Sequence, residues 1–401
     1  MSRVPAEDIS AQLSQIIVDA TQSKGGWLSF DHFMAQALYT PGLGYYANDS
    51  RKLGTMPASG SDFVTAPEMT PMFGRTLARQ VAQALQVTQT TEVWEFGAGS
   101  GALALQVLEA LGDQVERYTI VDLSGSLRFR QQQLLHKFGD KVRWVDALPP
   151  EMRGVVLGNE VLDAMPVKLL ARIKGVWHER GVAVRPAPET TVRPEPVEGF
   201  CDVANDRLRP FDKLRTGQAQ PERSFYWQDQ PTELRPPLEI EGPHDYLTEI
   251  HPQGEAFIRT LADRLVQGAA FFIDYGFPES EYYHPQRHMG TVMCHRAHLA
   301  DTDPLVDVGL KDITAHVNFT GIALAGQDVG LNVLGYCTQA RFLMNSGLLD
   351  LLAQADLKER VNAQKLILEH EMGELFKVIG FYKGDPWGAI GFAQGDRTHT
   401  L

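Results

Sequence analysis

The chain is poor in cysteine, with Cys201, Cys294 and Cys337 the only three in 401 residues. They are far apart and odd in number, which excludes a disulfide framework and fits a reducing compartment. Positive charge is also short: 37 Lys and Arg stand against 50 Asp and Glu, a net charge of −13. A nucleic-acid partner needs clustered cations, so none is expected. Long hydrophobic runs are missing as well. The longest, Gly268–Ile273, is strand-length and stops at Asp274, well short of the ~18 residues a membrane helix needs. No membrane partner is therefore expected. The N-terminus has no charged-then-apolar signal pattern, and Glu7 and Asp8 argue against a transit peptide. A bacterial-type cytoplasm is the expected location. No internal repeat is visible.

What is present reads as a globular α/β protein. Apolar spacing predicts helices at 8–22 (Leu13, Ile16, Ile17, Ala20) and 73–87. From residue 91 strands and helices alternate. Strands are expected at Glu92–Phe96, Tyr118–Asp122, Val142–Val145, Gly154–Leu157 and Ala269–Ile273. Helices are expected at Ala102–Leu111, Leu127–Phe138 and Glu255–Val266. That order implies a parallel sheet covered on both faces. Lys168–Val184 alternates between turn signals, as antiparallel hairpins do. Two helices, Leu343–Ala353 and Leu357–His370, and a strand at Leu375–Tyr382 close the chain. The organisation is a helical segment, 1–90, contributing to the site, and a core, 91–401. An antiparallel hairpin insertion at about 168–230 interrupts the core.

Residues 186–222 break this texture, being proline-rich and short of aromatics. They are expected to form a disordered loop. Arg193-Pro-Glu-Pro-Val-Glu-Gly199, back-translated and reverse-complemented in frame, encodes Pro-Phe-Asp-Arg-Leu-Arg-Thr. Pro210-Phe-Asp-Lys-Leu-Arg-Thr216 differs from this at Lys213 alone. The stretch reads as a translated palindromic DNA element, with an ordinary low-complexity loop as the alternative.

The chemistry begins at Glu95-Phe-Gly97-Ala-Gly99-Ser-Gly101, between a strand and a helix. Glycines there allow a sharp turn and a close ligand approach, and the helix end offers free N–H groups. Asp122 ends the next strand, where a ribose-binding carboxylate falls. Asp146 follows the third strand, within expected reach of an adenine amino group. Two cofactor readings fit. Gly97-x-Gly99-x-x-Ala102 matches a dinucleotide fingerprint and would make a nicotinamide-dependent oxidoreductase. The acidic Glu95 and the glycine phase match S-adenosylmethionine (AdoMet) methyltransferases.

Further motifs separate these readings: Gly60-Ser-Asp-Phe-Val-Thr-Ala-Pro-Glu68, Asn159-Glu-Val-Leu-Asp-Ala-Met-Pro-Val167, Phe272-Ile-Asp-Tyr-Gly276, Asp312-Ile-Thr-Ala-His-Val-Asn-Phe319 and Gly335–Leu343. Together with the glycine loop they resemble the MidA-like family, which includes the mitochondrial complex I assembly-factor arginine methyltransferase. The resemblance implies a class I AdoMet-dependent methyltransferase fold, Rossmann-like, with a seven-stranded, mostly parallel sheet and one antiparallel strand. It implies methyl transfer to an arginine of a protein partner, such as a respiratory-complex subunit. A non-catalytic AdoMet-binding assembly factor is the remaining alternative.

An arginine acceptor needs carboxylates that grip its guanidinium. Glu160 and Asp163 are expected to orient it, with Asp274 or Glu68 assisting and His316 lining the pocket. Asp163 could instead cap a turn, and Asp274 could bond backbone. The cofactor would be held by Glu95, Gly97, Gly99, Gly101, Asp122, Asp146, Asn159 and Thr65. Tyr45 and Tyr46 are candidates to pack over it. His284, His288, Cys294, His295 and His298 lack regular metal-ligand spacing, so no metal is expected.

Overall fold

The computed structural model describes residues 6–48, 64–122, 124–185 and 225–401. The 186–222 stretch and the first part of the Gly60–Glu68 motif lie outside them. The central sheet is built from β1 (Glu92–Phe96), β2 (Arg117–Val121), β3 (Val142–Val145), β4 (Met152–Asn159), β5 (Leu265–Phe277), β6 (Asn332–Thr338) and β7 (Phe376–Lys383). Their order is β6-β7-β5-β4-β1-β2-β3. β1 to β5 run parallel, and β7 runs antiparallel to both of its neighbours. This is the mostly parallel sheet with one reversed strand that the motifs imply. A short piece, Val317–Asn318, also pairs with the end of β5.

Alternation along the strands explains the two covered faces. Val93, Val155, Leu157, Phe271 and Ile273 pack beneath the helices Met72–Thr88 and Ala102–Leu111. Trp94, Phe96, Val156, Ala270 and Phe272 pack the other way, with Pro252–Arg264 and Phe319–Gln327. β5 is apolar on both faces because it lies mid-sheet, hydrogen-bonded to β4 on one side and β7 on the other.

A second, antiparallel sheet gathers the N-terminal segment and the hairpins. Val176–Val184 pairs with Trp27–Ser29, Lys168–Ile173 and Phe225–Pro231, and Lys168–Ile173 pairs with Tyr246–Ile250. On it packs the helix Ala6–Ser23, through Leu13 and Ile17, and the helix Phe30–Tyr39. Ile16, expected to face inward, is exposed instead. It lies at the outer edge of the Ile9–Leu13–Ile17 stripe, on the side away from Ile17. The helix Phe30–Tyr39 and strand β6 were not anticipated from periodicity. Phe30, Phe33, Met34, Ala37 and Leu38 do carry helical spacing around Asp31, His32 and Gln36, whereas the pattern of β6 is interrupted by Gly335.

Candidate active site

Between the carboxyl ends of β1, β2, β4 and β5 and the segments around Tyr39–Ala47 and Thr291–Thr314, a cavity of about 1100 Å³ opens. Chain direction puts it there: parallel strands deliver their following loops to one edge.

At the β1 end, Gly97, Gly99 and Gly101 hold φ of +62°, +53° and +89°. A side chain would be strained at each position. Gly101 sits at the N-terminus of the helix Ala102–Leu111, whose first N–H groups have no partner within the helix. Glu95 is buried and accepts a hydrogen bond from the Tyr118 hydroxyl at 2.7 Å. Burial pushes its carboxyl up to about 7, and nearby Asp122 adds to the rise. Asp122, after β2, accepts the Ser124 N–H and the Gln131 amide, each at 2.8 Å. Thr65 and Asn159 also line the cavity, and Asn159 Oδ1 is buried with no partner among the described residues.

Asp146 departs from expectation. Its side chain is 73% exposed, is drawn into an ion pair with Arg128 and is not part of the cavity wall. The loop after β3 turns it to solvent, outside the cavity wall.

The other end of the cavity is acidic and aromatic. Glu68, Glu160, Asp163 and Asp312 line it with Tyr39, Tyr46 and Tyr275. Tyr275 donates to Asp163 Oδ2 at 2.6 Å, and Tyr46 donates to Asp312 Oδ1 at 2.8 Å. Asp163 Oδ1 and Glu68 Oε1 are buried without a hydrogen-bond partner among the described residues. Burial pushes the Glu160 carboxyl up to about 8, with Asp163 nearby adding to the rise. Burial also lifts Asp163 to about 6 against the pull of the Tyr275 hydroxyl. Glu160 takes a left-handed backbone, φ +53°, a conformation that costs a non-glycine residue roughly 1–3 kcal/mol.

His316 lines the same wall. Its ring stacks on Phe277, and its Nδ1 has no partner among the described residues. Burial lowers it to about 4, so it is neutral. Asp274, expected among the acceptor groups, does not face the cavity: it accepts the backbone N–H groups of Val161, Leu162 and Asp163. Of the aromatic candidates, Tyr46 lines the cavity and Tyr45 is packed in the N-terminal core. Of the His and Cys residues near 284–298, His295 alone reaches the wall, and Cys294 faces the core. Asp312 and Tyr275 lay inside quoted motifs, yet nothing in their spacing singled them out.

The model of the S-adenosyl-L-methionine-dependent methyltransferase family matches residues 76–337. The chain belongs to this family. It is similar to a Burkholderia thailandensis protein solved with S-adenosyl-homocysteine, at 43% identity over the whole of both chains and a TM-score of 0.86. Among curated relatives it is 26% identical to "Protein arginine methyltransferase NDUFAF7, mitochondrial" of Danio rerio, over 80% of this chain and 74% of that one. The Caenorhabditis elegans homologue is 24% identical over 90% of this chain and 82% of its own. The chain is thus an AdoMet-dependent methyltransferase, and the nicotinamide reading of the glycine loop falls away. The residues present suit the cofactor: a left-handed glycine turn at a helix end, an unpartnered Asn159 oxygen and Asp122 fixed at the end of β2. Among the described residues no helix is long and apolar enough to cross a membrane.

Proposed function

We propose that the enzyme methylates an arginine side chain of a protein partner. The observation that carries this is the far end of the cavity, where Glu68, Glu160, Asp163 and Asp312 converge between tyrosine rings. Ionised carboxylates gathered in one cavity are costly, and a guanidinium is the planar cation whose fork of donors suits them. The named activity of the Danio rerio and Caenorhabditis elegans relatives supports the reading. A respiratory-complex subunit is the acceptor class suggested by the motifs, and the cytoplasm is the proposed location.

AdoMet, when bound, supplies an electrophilic methyl group. Gly97, Gly99 and Gly101 with the helix end would hold its methionine portion, with Glu95 organising the loop and Asp122 taking the ribose. Glu160 and Asp163 would grip the guanidinium and aim one nitrogen along the line of displacement. Glu160, whose carboxyl burial raises, would receive the proton that this nitrogen gives up as its bond to the methyl carbon replaces the carbon–sulfur bond and S-adenosyl-homocysteine leaves. Asp274 holds the turn that presents both.

The test is labelled methyl transfer to cell lysate with mass spectrometry of the product, alongside calorimetry with AdoMet. Methylarginine formed by the wild type and lost in Glu160→Gln, with AdoMet affinity kept, is the expected result. Full transfer by Glu160→Gln would remove that residue's role. AdoMet binding with no labelled protein would point to the assembly factor instead.

A further inference from the structure

A three-stranded antiparallel sheet, Leu299–Asp301, Met293–Arg296 and Asp312–Thr314, walls the acceptor end of the cavity. Its two faces differ by the pleat. Met293, His295, Ala300, Asp312 and Thr314 line the cavity, whereas Cys294 and Ile313 enter the N-terminal core. The register sets Ala300, His295 and Asp312 in one row. That row runs from the sheet's outer edge to the acidic end.

The outer strand, Leu299–Asp301, is exposed at all three residues. Among the described residues it pairs with Met293–Arg296 alone. The hairpin between them turns on Ala297 and His298, with φ of +51° and +61°, the two positive values of a two-residue hairpin turn. In such a hairpin the flanking residues, Arg296 and Leu299, exchange both backbone hydrogen bonds, and the next pair exchanges none. The next pair is His295 and Ala300. The N–H and C=O of Ala300 therefore point outward from the sheet, at the rim of the cavity.

We propose that this edge receives the acceptor protein, an extended segment beside the target arginine adding to Leu299–Asp301 as a fourth strand. The inference rests on the arginine reading above and specifies how its substrate is held. Continuity supports it, because the row that ends at the open edge begins at Asp312. Charge supports it too: residues 293–312 carry Asp301, Asp303, Asp307 and Asp312 against Arg296 and Lys311, which pair with Asp307 and Asp301, so the small sheet keeps an acidic excess. That excess suits a segment that bears cations. Strand addition takes affinity from backbone hydrogen bonds and selectivity from alternate side chains. Every second residue of the segment would then face the cavity wall with the arginine.

The probe is a nine-residue peptide with one central arginine, taken from a random arginine-centred pool labelled by the wild-type enzyme with labelled AdoMet. Ala300→Pro removes the outward N–H and leaves the bonds of the hairpin itself intact. It should raise the peptide KM about three- to tenfold, the worth of one hydrogen bond, with kcat and S-adenosyl-homocysteine affinity unchanged. Ala300→Gly, which keeps the N–H, should recover most of the KM lost in Ala300→Pro. A second measurement leaves the protein untouched: single N-methyl groups along the peptide backbone should raise KM at alternate positions. Labelling without that alternation, together with an unchanged KM for Ala300→Pro, overturns the edge site and leaves the arginine reading standing. A pool and lysate that yield no methylarginine, from enzyme that binds S-adenosyl-homocysteine, overturn both.

Discussion

Asp274 Oδ2 lies 2.8 Å from the backbone N–H of Leu162, and the same oxygen accepts the N–H groups of Val161 and Asp163 at 3.1 and 3.3 Å. One buried carboxylate at the end of β5 thus closes the turn after β4, in which Glu160 is held left-handed. Burial, with Asp163 and Glu160 nearby, pushes its carboxyl well up. Asp274→Ala should leave those donors unpaired, at about 1–3 kcal/mol for an unsatisfied buried group. The expected outcome is a lower urea midpoint and loss of methyl transfer, with S-adenosyl-homocysteine affinity retained. A variant that folds and turns over normally would remove this role.

Acceptor affinity should depend on pH. Burial holds the Glu160 and Asp163 carboxyls at about 8 and about 6, so each carries a proton below its own value. A guanidinium binds the ionised forms, so affinity should be weak near pH 6 and rise as pH increases toward 8. Binding must then release protons. Calorimetry of an arginine peptide in two buffers of different ionisation enthalpy, near pH 7, should show that release. Its loss in Glu160→Gln assigns it.

Much of the core was legible because a parallel sheet writes itself locally. Glu92–Phe96, Ala102–Leu111 and Val142–Val145 match the expected spans to the residue. Each is apolar with the right period and bounded by turn residues. The acceptor wall was not legible. Asp312 meets Tyr46 across 266 residues of chain, and no local period encodes such a contact. Asp146 follows its strand as expected, but its pairing with Arg128 outside the cavity wall is not visible in spacing. Asp274 was placed at the right strand end, and its partners are backbone, which a sequence does not display.

Glu95 sets a second pH dependence, this one of stability. Its folded value of about 7 lies above its ordinary 4.5 because burial penalises the charge. Between those values the folded state holds a proton that the unfolded chain has lost. Its stabilising effect is complete below about 4.5 and is lost as pH rises through about 7, roughly 3 kcal/mol in all. Glu95→Gln keeps an acceptor for the Tyr118 hydroxyl and cannot ionise. The variant should therefore gain stability relative to wild type as pH rises from 5 to 8. Urea unfolding of both proteins across that range checks it, and parallel curves would contradict the shift.

Gln131 ties together three parts of the cofactor end. Its fully buried amide donates to the Gly99 carbonyl at 2.9 Å and to Asp122 Oδ2 at 2.8 Å, and its oxygen accepts the Trp144 indole N–H at 2.9 Å. Two donors and one acceptor are in use, so neither Glu nor Leu can replace it. Glu would set a second carboxylate against Asp122. Leu would remove the bonds to the Gly99 carbonyl and to Asp122 Oδ2 and the bond from the indole N–H. Three lost hydrogen bonds, at about 1 kcal/mol each, correspond to roughly a hundredfold weaker complex if all of the loss falls on binding. Gln131→Leu should therefore raise the S-adenosyl-homocysteine dissociation constant by that order, and Gln131→Glu by at least as much. Turnover at saturating AdoMet should change little, because the acceptor groups are untouched. A variant with a lower melting temperature and unchanged cofactor affinity would make Gln131 a packing residue only.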